Sequence, residues 1–401
     1  MKIIAMRTKI YLISIILILG LLLFMVMRQF MADIYWRTAH QNGNELNKTM
    51  GYLEKCTDVD NKNALFHFSL GRAFLHDGLA ETTQVGAKNK WIRKSIDEFH
   101  RAIDLEPSNS DYHFHLGMSY RCLAFPPPLY WKVVQNSFKR TAMLNPTGIR
   151  HLYSIGIYSL NEYHRLKSMG SNTEKIGFVN YNKYAALSKD NYQFYFSKLL
   201  DVNETYLPKI LEKCFSMTQK YTDLKTVIRD TSHDHAFFAR FLYNKGMWEE
   251  AKKEFLAAIN LEPDNPIYYS DFAYVLFLRG EFEHSIHWWQ EHKKLDPRNK
   301  RTYLSLADGF IKLNRFDDAL LELRDLITIY PGDIKYQVKF IRTLLAARRV
   351  DEAIDEYHEI MGENPRFSKK KYDMARYYQR KKNYPRVTKI LNEALSSALN
   401  R

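Results

Sequence analysis

Strand-type alternation of apolar and polar residues is missing over any useful length, so a sheet protein is excluded; the apolar residues recur three and four apart, which is helical spacing. The short motifs that hold phosphates, metals or a serine nucleophile are missing as well. There is no GxxxxGK[ST] loop, no GxGxxG after a strand, no HExxH and no GxSxG elbow. Cysteine is scarce: Cys56, Cys122 and Cys214 are widely spaced, odd in number and form no CxxC pair. They neither demand an oxidising compartment nor exclude one, and they read as three small side chains for a core. Acidic charge is in deficit, with 59 Lys and Arg against 45 Asp and Glu, a formal net charge of +14. Catalysis, a metal and a cofactor therefore have no sequence support, and an anionic or protein partner remains open.

What is present is a ruler. Pro263, Pro297, Pro331 and Pro365 stand 34 residues apart, each closing a helical pattern. A fixed period of this length marks a stacked array of helix pairs. Repeat starts fall at Ser232, Pro266, Lys300, Ile334 and Ser368, and the fifth unit reaches Arg401. Position 8 is small where two helices touch (Ala239, Ala273, Ala307, Ala375, with Ile341 the exception), and position 7 is large and apolar in the first four units (Phe238, Phe272, Leu306, Phe340). Gly246, Gly280 and Asn314 recur at position 15, where a left-handed residue ends the first helix. Ala251, Ser285, Ala319 and Ala353 precede Phe255, Trp289, Leu323 and Tyr357 by four residues in the second helix.

These residues resemble the tetratricopeptide repeat, most clearly in "GMWEEAKKEFLAAINLEPDN". The resemblance implies an all-α fold: a right-handed superhelical solenoid of antiparallel helix pairs, here preceded by one transmembrane helix. Five units of 34 residues are expected over 232–401, degenerate pairs with insertions over 63–146 and juxtamembrane helices with a possible partial repeat over 28–62. In the degenerate part, Leu70-Gly71 and Leu116-Gly117 occupy positions 7 and 8, and Pro126-Pro127-Pro128 reads as a loop between helices. "LYSIGIYSL" around Gly156 looks like one more first helix, but 147–231 fits no regular repeat and reads as an irregular helical segment.

Ahead of all this, 10–27 ("IYLISIILILGLLLFMVM") carries no charge. Eighteen such residues in a helix reach roughly 27 Å, close to the thickness of a hydrocarbon core. Lys2, Arg7 and Lys9 precede it, so residues 1–9 read as a cytoplasmic tail and 10–27 as an uncleaved signal anchor. A cleaved signal is the rival, although "MRQFMADIYW" offers no small-x-small site. The expected location is a bacterial inner membrane, single-pass, with the repeats periplasmic.

In the tetratricopeptide geometry, first-helix positions 2, 5, 9, 12 and 13 line the concave face. That implies a binding surface of Arg240, Tyr243, Asn244, Tyr274, Phe277, Arg301, Asp308, Lys312, Lys335, Arg342, Tyr372, Arg376 and Arg380, grading from aromatic to basic. The version that clamps a terminal carboxylate fails, because Ala236, Arg240 and Asp271 stand at its positions. From Arg366 onward eleven Lys and Arg face only Asp373 and Glu393. His284, His287 and His292 are packing or surface residues, and His233 and His235, beside Ser232 and Asp234, read as a helix cap.

The function expected is a membrane-anchored scaffold for protein partners, peptide segments or envelope assembly components. Stretches such as "SDYHFHLG" and "LNPTGIRHLYSIGIYSL" also resemble helical repeats that accompany O-antigen ligase and polymerase systems, which implies surface polysaccharide biogenesis. The alternatives are direct binding of an anionic polysaccharide by the basic groove, and an enzyme hidden in 147–231 around Glu162 and His164. Nucleic acid would lie on the wrong side of the membrane.

Overall fold

The structure, a computed structural model, describes residues 2–41, 46–81, 84–123, 128–172, 181–364 and 366–399. Every regular element among them is helical. The chain divides into two compact units, 1–227 and 228–401.

The second unit carries the ruler. Its helices are α11 (Ser232–Asn244), α12 (Trp248–Leu261), α13 (Pro266–Leu278), α14 (Phe282–Leu295), α15 (Lys300–Lys312), α16 (Phe316–Ile329), α17 (Ile334–Ala346), α18 (Val350–Glu363), α19 (Lys369–Arg380) and α20 (Tyr384–Leu399), named after the ten helices of the first unit. Each first helix starts on a side-chain cap: Thr231, Asn265, Asn299, Asp333 and Ser368 accept from a backbone N–H two or three residues on. The second helices α12, α14, α16 and α18 lack such a bond and carry acidic residues in the first turn instead, which suits the positive end of a helix dipole.

Between the two helices of every hairpin the backbone turns through one left-handed residue. The series is Gly246 (φ 80°), Gly280 (80°), Asn314 (58°), Arg348 (60°) and Lys382 (54°), spaced 34 apart. Only the first three are residue types that betray the turn in a sequence; the fold imposes it on an arginine and a lysine. Left-handed backbone costs a side-chain-bearing residue about 1 kcal/mol. Arg348→Gly is therefore expected to raise stability by about that amount, read as a higher urea midpoint, and Gly280→Ala to lower it by a similar step.

The core repeats just as regularly. Ala239, Ala273, Ala307 and Ala375 are fully buried, as are Phe255, Leu323, Tyr357 and Leu391 across from them. Between hairpins, positions 3, 7, 10 and 11 of a first helix pack on the second helix of the preceding hairpin. Phe272 stacks on Phe255 with centroids 5.1 Å apart, Thr302 Oγ1 lies 2.8 Å from His292 Nδ1, and Gly309 sits under Ile286.

The first unit is the same device with longer helices: α1 (Lys2–Gln41), α2 (Leu46–Val59), α3 (Ala64–Ala80), α4 (Val85–Leu105), α5 (Ser110–Cys122), α6 (Pro128–Leu144), α7 (Ile149–Asn172), α8 (Tyr181–Val202), α9 (Leu207–Met217) and the short α10 (Tyr221–Lys225). Here glycine replaces alanine at the close approach. A Cβ on Gly71, Gly117 or Gly156 would stand 2.9, 2.7 or 2.4 Å from a ring atom of Phe99, Phe138 or Phe196. The last of these corrects the sequence reading of 147–231: α7 and α8 form a full hairpin, with its insertion taken up as helix length. α8 runs unbroken from Tyr181 to Val202, and 173–180 lie outside the described residues. Pro128 opens α6, where its missing N–H costs nothing; Pro126, Pro127 and Pro365 lie outside the described residues.

Long insertions enter on one side only. The link from second helix to next first helix is four residues at 60–63, 106–109, 145–148, 262–265, 296–299 and 330–333, and five at 364–368, ahead of the hairpin that docks differently. The link within a hairpin is three residues throughout the second unit and longer in the first.

α1 passes without a break from an apolar stretch into a hairpin. Residues 14–30 are exposed, and Ser14–Ala39 is long and apolar enough to cross a membrane. Ala32 and Ala39 are already buried against α2, where Cys56 Sγ donates to the Ala32 carbonyl and Arg28 Nε donates to Val59 O.

Candidate functional site

The expected binding face falls into two halves that behave differently. On α11, α13 and α15 it forms a ladder in which position 9 of each first helix meets the next first helix. Arg240 pairs with Asp271 at 2.9 Å, the Arg301 guanidinium lies 5.4 Å from the Tyr274 ring centroid, and Lys339 Nζ donates to Asp308 at 2.7 Å. The acid in the first rung is set by its surroundings: burial pushes the Asp271 carboxyl up, and Arg240 and Arg301 pull it back. Tyr274 stays 45% exposed with Arg301 stacked beside it, and Asn244, Lys312 and Lys335 are exposed around them. Tyr243 and Phe277 are half-buried, turned onto Trp248 and Phe282 at the start of the second helices. A stacked arginine on an exposed ring offers a flat apolar face with forked donors at its edge, the combination that grips an extended peptide.

The C-terminal half departs from the sequence reading, because the fifth hairpin docks turned over. Positions 5, 9 and 12 of α19 face α18 instead of a groove: Tyr372 stacks on His358 at 4.7 Å, Arg376 reaches Gln379 at 3.1 Å and Asp355 at 4.0 Å, and Gln379 donates to Asp351 at 2.6 Å. α20 lies against α17, where Arg342 donates to Ser396 Oγ at 3.0 Å. Val338 and Leu345, concave positions of α17, are buried in the same cluster as Ile390, Leu391 and Leu395. Thus Tyr372 and Arg376 are half-buried interface residues of the last hairpin, Arg342 is held by α20 through Ser396 while staying exposed, and Arg380 is exposed as well. The reason lies in α19 itself. Docked like its predecessors it would bury Lys370 at position 3, a charge without a partner there. Turned over, it leaves Lys370 in water while Val387, Ile390, Leu391, Ala394, Leu395 and Ala398 on α20 go inside.

The histidines are structural. His235 is not a cap: it is buried, its Nδ1 pairs with the fully buried Glu254, and its Nε2 lies 2.9 Å from Asp230. The first repeat-type hairpin of the other unit repeats the arrangement at the same positions, 4 and 23: His67 Nδ1 lies 2.6 Å from Glu98 Oε2, and its Nε2 reaches Asn61 O at 3.0 Å. His292 is buried and burial lowers its pKa. Among the described residues no group of three or more His, Cys, Asp or Glu is placed to hold a metal. Cys56 and Cys214 are buried, and burial pushes their thiols up to about 11 and about 12.

The His67 pair sets a pH dependence. The hydrogen bond to Glu98 raises the imidazole pKa above 6.5, outweighing burial, which lowers it. A raised folded-state value contributes stability that is complete below the unfolded pKa and is lost as pH rises through the folded one. The 1–227 unit is thus expected to unfold at lower urea at pH 9 than at pH 6, and Glu98→Gln to flatten that slope.

No protein-family model matches the sequence, and no curated protein does. Solved structures with similar helical chains include MamA from Desulfovibrio magneticus RS-1 (13% identity, 43% of this chain and 98% of that one, TM-score 0.33) and yeast Tom70 (14%, 82% and 75%, 0.29). YrrB, a TPR protein with an unusual peptide-binding site, is a third (11%, 71% and 95%, 0.25). Likeness at that level carries no functional argument, and the site stands on its own geometry.

Proposed function

We propose that this chain is a membrane-anchored repeat scaffold that holds an extended protein segment along the first-helix face of α11, α13 and α15. The observation that carries the reading is the exposed Tyr274 ring with Arg301 stacked on it, set between two ion-paired rungs. A face whose two rungs, Arg240–Asp271 and Lys339–Asp308, are already ion-paired favours a peptide over an anionic polymer, and Arg342, one of the cations a polysaccharide would need, is engaged by Ser396 of α20. The apolar stretch of α1 supports a single span. With Lys2, Arg7 and Lys9 ahead of it, the repeats would lie outside the cytoplasm of a bacterial cell, in envelope assembly and, on the sequence resemblance, surface polysaccharide biogenesis.

The test is a photo-crosslinking amino acid at Tyr274 in intact cells, with a control at Leu321, which is 63% exposed on α16. Discrete protein adducts at 274 that fall at least tenfold on Arg301→Ala are expected. Equal labelling from Leu321 would sink the reading. Reporter fusions at Arg37 and Arg401 test the placement independently, and cytoplasmic activity at both would overturn it.

A further inference from the structure

Because the last hairpin is turned over, one face of α19 that the rest of the array covers is left open. In the earlier interfaces, positions 3, 7, 10 and 11 receive the second helix of the preceding hairpin. Phe272 meets α12, Thr302 and Gly309 meet α14, and Phe340 lies under Arg324 of α16. On α19 these positions are Lys370, Met374, Tyr377 and Tyr378. Met374 is 36% and Tyr377 51% exposed, where the position-7 residues Phe238, Phe272, Leu306 and Phe340 are buried. Lys369, Lys370, Asp373, Met374, Tyr377 and Tyr378 line a shallow depression together. Its rim is cationic: Lys381 Nζ stands 4.5 Å from the Tyr377 centroid, and the Arg386 guanidinium 5.7 Å from that of Tyr378.

We propose that this face is a second docking site, separate from the first-helix ladder, and that its occupant is an acidic amphipathic helix of another protein. The fold states the shape of the occupant, because the same positions in the array are each covered by one helix. The charge states its chemistry: Lys369, Lys370 and Lys381 against Asp373 alone select carboxylates beside an apolar stripe. A second copy meeting this face symmetrically would set lysines against lysines.

α16 supplies a probe, since it covers the equivalent face of α17 and carries Asp317, Asp318, Glu322 and Asp325 against Arg324. A fluorescent, helix-stapled peptide of residues 316–329 is titrated against the full chain in detergent micelles by anisotropy. Saturable binding is expected, at least tenfold weaker in 0.5 M than in 0.05 M NaCl because exposed charges are screened beyond about 10 Å at 0.1 M salt. Tyr377→Ala and Lys370→Glu should each weaken it at least tenfold, and Tyr274→Ala should leave it unchanged. Binding that ignores both α19 variants, or no saturable binding, overturns the proposal; in the first case the peptide has replaced α16 on α17. Light scattering of the chain alone completes the test: a dimer lost on Tyr377→Ala would make the occupant a second copy and overturn the acidic-helix assignment. Tyr274 crosslinking is unaffected by any of these results, so the two sites fail separately.

Discussion

Glu254→Ala is expected to destabilise the 228–401 unit by about 3–5 kcal/mol, the usual cost of stranding one member of a buried ion pair. Glu254 is fully buried and His235 is 4% exposed. Removing the carboxylate takes away the Nδ1 partner of a buried imidazole between α11 and α12 and opens a void in a fully buried position. The attraction itself is not the stabilising agent, because desolvating two charges nearly cancels it. That distinction is measurable. The double variant His235→Leu, Glu254→Leu should recover most of the loss, since two apolar side chains need no partner, whereas a double variant no more stable in urea than Glu254→Ala would show the pair to be net stabilising. The same cycle on His67 and Glu98 should behave alike, because the two pairs hold equivalent positions in the first repeat-type hairpin of each unit.

Gly156→Ala is the second large effect, and here two terms oppose. Alanine gains up to about 1 kcal/mol over glycine inside a helix. At Gly156, however, the new Cβ would lie 2.4 Å from Phe196 Cε1, and Phe196 is fully buried with nowhere to move. Overpacking of this kind costs about 1–3 kcal/mol, so the clash wins and α7 and α8 part. Gly86→Ala in α4, where nothing stands within 4 Å, isolates the favourable term and should stabilise. Adding Phe196→Leu to Gly156→Ala should restore stability, since Ala307 already packs with Leu323 in the second unit. If Gly156→Ala is neutral alone, the close approach is softer than its geometry.

Most of the second unit was legible because local signals and long-range packing agree there. Caps, small position-8 residues and turn glycines all fall on one period, and the helix starts match the repeat starts to within a residue. The first unit was harder because its insertions are helical: nothing in 147–172 signals where α7 should end, and only the pairing of Gly156 with Phe196 reveals the hairpin. A search for a small residue followed by an aromatic at variable distance would have found it. The His–Glu pairs were missed for a similar reason, since positions 4 and 23 are polar in many hairpins and only burial separates His67 and His235 from surface residues. Counting positions places the chosen first-helix residues on one face of α11, α13 and α15, but not on α19, whose positions 5, 9 and 12 turn toward α18. Position counting assumes that every hairpin docks alike, and it cannot see that Lys370 makes the standard docking unfavourable for the fifth.

The near-constant links of four or five residues between hairpins and the variable links inside them give the two margins of each stack different tolerances. A link that joins hairpins sets the spacing between neighbouring pairs, so lengthening 296–299 would propagate as a misfit through every later interface. A link inside a hairpin sets no such spacing, and all four in the first unit exceed the three residues used throughout the second. Foreign sequence, an affinity tag or a whole small domain should therefore be accepted between Ala80 and Val85 and rejected at Pro297, which makes the open margin the natural place to attach a handle without disturbing either docking face.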